Sequence, residues 1–262
     1  MKIYVDVFRT QKAGNTKSEY EDAHWPPVAA TTLEANKARI AVADGATDAV
    51  YSGLWARLLV RAYGRQQLAY KSMEAAVLKA AQVWQRVIRN RSLPWYAEEK
   101  ARSGSFAALV GLELIQPDSR VGGCWSVLAC GDSCFFQMRS DKLIQAFPVS
   151  RSEDFSNTPM LLGSQKQSTG LGAIRSTTGY WEEGDCFYLM TDALACWFLG
   201  RCETGFVPWQ DLRDLTLARQ PPFEEWISHL RNRGEIKNDD CTLISVSFEH
   251  AAERPVRGYA VA

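Results

Sequence analysis

The stretch Arg39-Ile40-Ala41-Val42-Ala43-Asp44-Gly45 sets a short apolar run directly against an acid and a glycine. A run of that length closed by Asp-Gly reads as a buried strand ending in a turn. Three other stretches share the form. Phe187-Tyr188-Leu189-Met190 runs into Thr191-Asp192-Ala193, and Asn238-Asp239-Asp240 immediately precedes Cys241-Thr242-Leu243-Ile244. Val127-Leu128-Ala129-Cys130 leads into Gly131-Asp132-Ser133. Singly, each acid has an ordinary role, since Asp-Gly is a common turn and Asp192 can cap a helix. Four acids at strand ends point further, because neighbouring strands would bring the carboxylates to one rim of a sheet. Crowded carboxylates raise one another's pKa unless a cation lies between them. Donor sets made only of oxygen suit Mg²⁺ or Mn²⁺ rather than zinc. Two such ions about 3.5–4 Å apart can share a water, lower its pKa and clamp a phosphoryl oxygen.

Outward from these stretches, residues 2–8 alternate as a strand, and the polar residues 9–21 read as a loop. Between 49 and 90, Leu54, Leu58, Leu59 and Tyr63, then Ala76, Val77, Ala80, Val83, Val87 and Ile88, recur at helical spacing. Gly64 divides this region into two expected helices. Strand-like runs follow at 105–115, 124–130, 134–139 and 143–147, with Gly131-Asp132-Ser133 at hairpin spacing. Residues 150–180 are rich in Ser, Thr, Gly and Asn with little periodicity, which reads as a long exposed, flap-like insertion. A strand at 186–190, a capped helix at 191–199, helices at 208–219 and 222–233, and a last strand at 241–248 complete the order. The order is α+β, not strict strand–helix alternation. We read residues 1–250 as one domain and 251–262 as a C-terminal tail.

Composition narrows the class. The 262 residues are 46% apolar and 23% charged, an ordinary globular balance. Thirty basic and thirty acidic side chains cancel, so no overall field favours nucleic acid or anionic lipid. Seven cysteines, odd in number and without a C-x-x-C pair, sit mostly in apolar runs. They read as small buried hydrophobes of a reduced, cytoplasmic protein. No signal peptide and no run of about 18 apolar residues is present, so a soluble chain is expected. Gly170-Leu171-Gly172 lacks the third glycine of a dinucleotide loop, and neither H-E-x-x-H nor G-x-S-x-G occurs. Trp55, Trp84 and Trp197 fall in helical patterns and read as core. Arg57, Arg61 and Arg65 read as a solvated helix face.

The short motifs, in order, resemble the PP2C family of Mg²⁺/Mn²⁺-dependent serine/threonine phosphatases. Glu21-Asp22-Ala23 resembles the family's N-terminal acidic pair, and Val42-Ala43-Asp44-Gly45 its V-x-D-G. Gly104-Ser105-Phe106-Ala107 resembles G-[ST]-T-A, and Ala129-Cys130-Gly131-Asp132-Ser133 resembles the G-D-S-R hairpin. Leu189-Met190-Thr191-Asp192-Ala193-Leu194 resembles S-D-G-[LI], and Asp239-Asp240-Cys241-Thr242 resembles D-[ND]-x-T.

The resemblance implies a four-layer αββα fold, two packed antiparallel sheets flanked by helical pairs, with metals between the sheets at one end. It implies Asp44, Asp192 and Asp239 as ligands of two Mg²⁺ or Mn²⁺ ions, with the Gly45 carbonyl and Glu21 completing the shell. Asp132 would serve a third, weaker ion. Asp22 would orient a water, and Lys17 stands where some relatives place a phosphate-gripping arginine. Lysine can hold phosphate as a point charge without a bidentate fork. The family's histidine after D-G is here Ala46, and the acid four residues after Asp192's position is Cys196. His24, His229 and His250 do not replace that histidine.

The implied function is hydrolysis of phosphoserine or phosphothreonine in a protein substrate of a Ser/Thr kinase, by water bridging two ions. Two other readings stand beside it. One is a catalytically weak or inactive domain that binds a phosphoprotein or regulator, and the other a two-metal hydrolase of small phosphate esters.

Overall fold

The computed structural model describes residues 1–47, 49–65, 73–91, 95–117, 122–156, 158–165, 170–217 and 222–248. The expected tail at 251–262 and the end of the helix expected at 208–219 lie outside them.

Two antiparallel sheets carry the molecule. The first runs β3 (Ala30–Glu34), β1 (Lys2–Thr10), β12 (Cys241–Phe248), β11 (Cys186–Met190), β7 (Cys134–Arg139) and β8 (Lys142–Phe147). The second runs β10 (Arg175–Trp181), β6 (Gly123–Cys130), β5 (Phe106–Ile115), β4 (Lys37–Gly45) and β2 (Ala23–Trp25), with the short β9 (Leu162–Gly163) also on β5.

Period-2 alternation along the strands builds three apolar layers. Ile40 and Val42 of β4, Val110 and Leu112 of β5, Phe187 and Leu189 of β11, and Ile244 and Val246 of β12 meet between the sheets. Their neighbours face outward onto helices. Ala41 and Ala43 pack with Leu109 under α1 (Ser52–Gly64) and α2 (Met73–Arg89). Tyr188, Met190 and Leu243 pack under α4 (Asp192–Glu203), α5 (Pro208–Thr216) and α6 (Phe223–Asn232). A strand covered on both faces needs apolar residues at nearly every position, which explains the unbroken runs. The result is the helix–sheet–sheet–helix stack expected from the resemblance. Trp55 of α1 is fully buried and donates from Nε1 to the Leu162 carbonyl at 2.8 Å, tying helix to β9. Trp84 and Trp197 are buried in the two outer layers, as expected of core residues.

Several expectations need correction. Gly131-Asp132-Ser133 is not a hairpin: β6 belongs to the second sheet and β7 to the first, so this link carries the chain between sheets. β6 already has β5 and β10 on its two sides, which leaves no edge for β7. Gly131 sits at φ +90, and a Cβ there would lie 2.6 Å from that of Ala108, so the crossing needs glycine. The strand expected to stop before Asp44-Gly45 instead continues through both, in register with Ala108 and Ala107. Within the expected insertion, residues 175–181 form β10, an edge strand whose polar sequence hides its ladder with β6. β2, β3 and α3 (Trp95–Ser103) are further elements that apolar periodicity does not reveal.

At the end of the first sheet away from the acids, Asp185 is buried and bound by Arg139 through a fork, Nε–Oδ1 at 2.7 Å and Nη2–Oδ2 at 2.8 Å. Gln137 and the Glu182 N–H also donate to it. Every oxygen of this buried carboxylate is satisfied, as burial demands. Among the described residues, no helix is long and apolar enough to cross a membrane.

Candidate metal centre

One end of the sandwich gathers the acids. Asp44 is the penultimate residue of β4, β11 runs into Asp192 at the start of α4, and Asp239 stands two residues before β12. Met190 pairs with Leu243, so β11 and β12 deliver their acids to the same rim. Asp132 lies in the link between sheets, and Glu21 and Asp22 precede β2.

Gly45 has a packing reason to be glycine. A Cβ there would lie 2.8 Å from the Glu21 carbonyl oxygen and 2.8 Å from the Ser52 carbonyl carbon. The close approach brings the Glu21 segment and the start of α1 against the end of β4. Ser52 then donates its hydroxyl to Glu21 Oε1.

Asp22 and Asp132 are buried, whereas Asp44, Asp192, Asp239 and Glu21 are partly exposed, so the acids line an opening. Burial, and then Asp22, Asp192, Asp132 and Asp239 in turn, push the Asp44 pKa well above the carboxylate range. Burial does the same to Asp22, reinforced by Asp240 and Asp192 against a hydrogen bond from Thr242. Burial raises Glu21 to about 6, against its bond from Ser52, with Asp240 and Asp239 adding to the rise. Burial and Asp192 raise Asp132 to about 6. Negative charge is concentrated here beyond what the chain itself neutralises.

The cation the chain does offer is Lys237, which sequence reasoning missed. Its ammonium lies 3.0 Å from Asp239 Oδ2 and 3.5 Å from Asp192 Oδ2, on an exposed side chain. Exposed pairs of this kind are worth about 0–1 kcal/mol, weak enough for a divalent ion to displace.

A scaffold of hydrogen bonds fixes the acids, most of it also unread in the sequence. Asp240 accepts from the Lys12 and Glu21 N–H groups, both at 2.7 Å, and so binds the N-terminal loop to β12. Arg231 of α6 donates to the carbonyls of Asp239 at 2.6 Å and Gln11 at 3.1 Å. Thr242 donates from its hydroxyl to Asp22 Oδ2 at 2.6 Å, bonds the Tyr20 hydroxyl, and donates its N–H to Thr191 Oγ1 at 3.0 Å. The signal for Thr242 was available: it is the polar first member of the row Thr242, Ile244, Val246.

The residues present fit a divalent cation. The donors are all oxygen, their charges are mutually unfavourable, and Asp22 Oδ1 is buried without a hydrogen-bond partner. Among the described residues, no three acidic, histidine or cysteine side chains close around one point. The acids instead act on one another electrostatically around Asp44.

Two clefts reach the acids. One, of about 480 Å³, is lined by Asp132, Asp192, Cys196, Ser152 and Lys237. Cys196 donates its thiol to the Ser152 carbonyl at 3.8 Å, a long contact, and Ala46 continues the β4 ladder by donating to Phe106 O. Neither takes the chemical part of the acid or the histidine of relatives. The other cleft, of about 420 Å³, has Asp22 on its wall with Lys17, which projects from a single 3-10 turn at Lys17–Glu19. The structure thus brings all eight expected site residues to one end of the sandwich, with Lys17 at the edge of the acid ring rather than in it.

Solved structures share this architecture at low identity. The serine/threonine phosphatase PstP/Ppp of Mycobacterium tuberculosis superposes with a TM-score of 0.55 at 13% identity, over 95% of this chain and 100% of that one. The serine/threonine phosphatase of S. agalactiae gives 0.56 at 12% identity, over 94% and 100%. The catalytic domain of PstP in complex with two manganese ions gives 0.53 at 14%, over 94% and 99%. No curated protein matches the sequence. The family profile described as Protein phosphatase 2C matches residues 17–240, a span that begins at Lys17, ends just past Asp239 and takes in every acid of the ring. With the profile matched over that span and the fold shared by these phosphatases, this chain belongs to the protein phosphatase 2C family.

Proposed function

We propose that this chain is an active phosphatase that hydrolyses phosphoserine or phosphothreonine in proteins, with two Mg²⁺ or Mn²⁺ ions held by the acid ring. The observation that carries this reading is the gathering of carboxylates around Asp44, whose pKa burial and then four neighbouring acids push up. Asp44, Asp192 and Asp239 hold the ions, with the Gly45 carbonyl and Glu21 completing the set, and Asp132 serves a third, weaker position. When bound, such ions offset the carboxylate charge and make water nucleophilic near neutral pH.

The remaining roles belong to the chain's own groups. Asp22 orients the attacking water: Thr242 fixes Oδ2 by its hydroxyl, which leaves Oδ1 free to accept a proton or hydrogen bond. Lys17 meets the substrate phosphate at the mouth of the cleft as a point charge. Lys237 leaves its pairs with Asp192 and Asp239 when the ring is loaded. Of the insertion expected at about 150–180, the described residues before β10 act as the flap beside the site, the 3-10 turn at Ser152–Asp154 being anchored where Glu203 accepts from Ser152 N at 2.7 Å. The substrate is a phosphoprotein made by a Ser/Thr kinase, and the working compartment is the cytoplasm.

A phosphothreonine peptide with saturating Mn²⁺ tests this against Asp192→Asn. Turnover lost in the variant, with its fold intact by circular dichroism, is the expected result. Full activity in Asp192→Asn would overturn the assignment.

One set of observations favours a second reading, in which the domain binds a phosphoprotein without turning it over. Ala46 and Cys196 replace groups that relatives use, and Lys237 already pairs with two of the ring acids. Phosphopeptide binding without measurable turnover at saturating Mn²⁺ would favour it.

A further inference from the structure

The arginine-bearing face of α1 is not a plain solvated surface. Arg57 and Arg61, one turn apart, line the cleft of about 420 Å³ that has Asp22 on its wall. Arg9 of β1 lines it too, beside Lys17. All four cations are exposed at the surface, and among the described residues none is held in an ion pair.

Like charges four apart on a helix repel. Arg57 registers the crowding: partial burial, then Arg61 and Arg91, lower its pKa. The cluster opposes folding slightly and gains no carboxylate partner among the described residues in return. Position ties it to the acid ring. A Cβ on Gly53 would lie 3.1 Å from Glu21 Cα and 3.4 Å from Arg57 Nη1. Glycine at 53 therefore lets the Arg57 guanidinium lie against the segment that carries Glu21 and Asp22. The opposite cleft mixes Lys237 and Arg201 with Asp132, Asp192 and Glu235. The approach to the acids is thus mainly cationic on one side and mixed on the other.

One phosphoryl group is a dianion at most, and four cations exceed what it can pair. We propose that Arg9, Arg57 and Arg61 form a docking subsite for acidic side chains that flank the phosphorylated residue of a polypeptide substrate. Guanidinium forks suit carboxylates in bidentate contact, and a mainly cationic concave wall concentrates such ligands. The inference rests on the preceding reading in placing the phosphate at the acid ring.

The test is binding, measured with Mn²⁺ and peptides in which a non-hydrolysable phosphonate replaces the phosphothreonine ester, so that the ring is loaded and turnover plays no part. Fluorescein-labelled peptides of this kind, one flanked by glutamates and one by glutamines, are titrated by anisotropy at about 50 mM salt. The wild type is expected to bind the glutamate peptide about tenfold more tightly, as two to three exposed charge contacts allow. That preference should shrink below about twofold in Arg57→Ala/Arg61→Ala and survive in Arg57→Lys/Arg61→Lys. Equal affinity for both peptides in the wild type, or an undiminished preference in the alanine variant, would overturn the subsite. Hydrolysis of p-nitrophenyl phosphate with Mn²⁺ is run in parallel and should be unchanged in the alanine variant. If neither protein turns it over while the peptide preference holds, the hydrolytic reading fails and the docking subsite stands.

Discussion

At Thr242 one hydroxyl serves two partners, donating to Asp22 Oδ2 and bonding the Tyr20 phenol. Thr242 is the main hydrogen-bond partner of Asp22, with the Thr191 side chain contributing less. Thr242→Val keeps the shape and removes the hydroxyl, depriving a buried carboxylate of its main hydrogen bond. A loss of about 1–3 kcal/mol by urea denaturation is expected. A neutral result would mean that the Tyr20–Thr242–Asp22 chain does not constrain Asp22. Glu21 and Asp132 test the crowding of the ring by pH. Burial and neighbouring acids hold both at about 6 in the folded protein, above the ordinary carboxylate values of 4.5 and 3.8. The folded, metal-free state therefore favours their protonated forms. The stability this brings is full below about pH 4 and is lost as pH rises through about 6. In chelator, the melting temperature should fall across that window, and Glu21→Gln/Asp132→Asn should flatten the fall. The same slope in wild type and variant would contradict the crowding.

At the scale of elements, the strands around the site were legible because burial on both faces makes them unbroken apolar runs. β11, β12 and most of β4, β5 and β7 follow from that rule. The rule fails where burial is one-sided or absent. β10 pairs with β6 alone at a sheet edge, with Arg175, Ser176 and Tyr180 exposed, so its sequence resembles a loop. β3 has only partly buried Thr31 and Leu33 near the core, and β2 spans just three residues. The link at 131–133 failed for a different reason. A short Gly-Asp-Ser connection fits a hairpin locally, and only the pairing of β6 with β10, formed much later in the chain, excludes it. Of the site, the acids at strand ends were readable as a pattern. Lys237, Arg231 and the role of Asp240 were not, because each acts through a contact across the fold. The fork from partly exposed Arg139 to buried Asp185, which joins β7 to the turn before β11, gives this scale its own test. Asp185→Ala should cost about 1–3 kcal/mol, since Arg139, Gln137 and the Glu182 N–H lose a shared acceptor while Arg139 keeps Glu182 and Gln137 keeps the Tyr180 carbonyl. Urea denaturation measures it, and a loss below about 1 kcal/mol would mean that water replaces the carboxylate.

At the scale of the molecule, two sheets and their outer helices hold the loops rigidly enough for six carboxylates from both sheets to meet at one end. The sheets supply different members of the ring: Asp44, Glu21 and Asp22 from the second, Asp192 and Asp239 from the first, with Asp132 at the crossing. Holding like charges together costs stability, and a divalent cation bound there would recover it. The most direct measurement is hydrolysis of p-nitrophenyl phosphate by wild type and Asp44→Asn, each with Mn²⁺ and with chelator. Turnover by the wild type that needs Mn²⁺ and falls by at least about 100-fold in Asp44→Asn is the expected result. Turnover that persists in chelator or in the variant, or none in folded wild-type protein with Mn²⁺, would contradict metal-dependent hydrolysis at this ring.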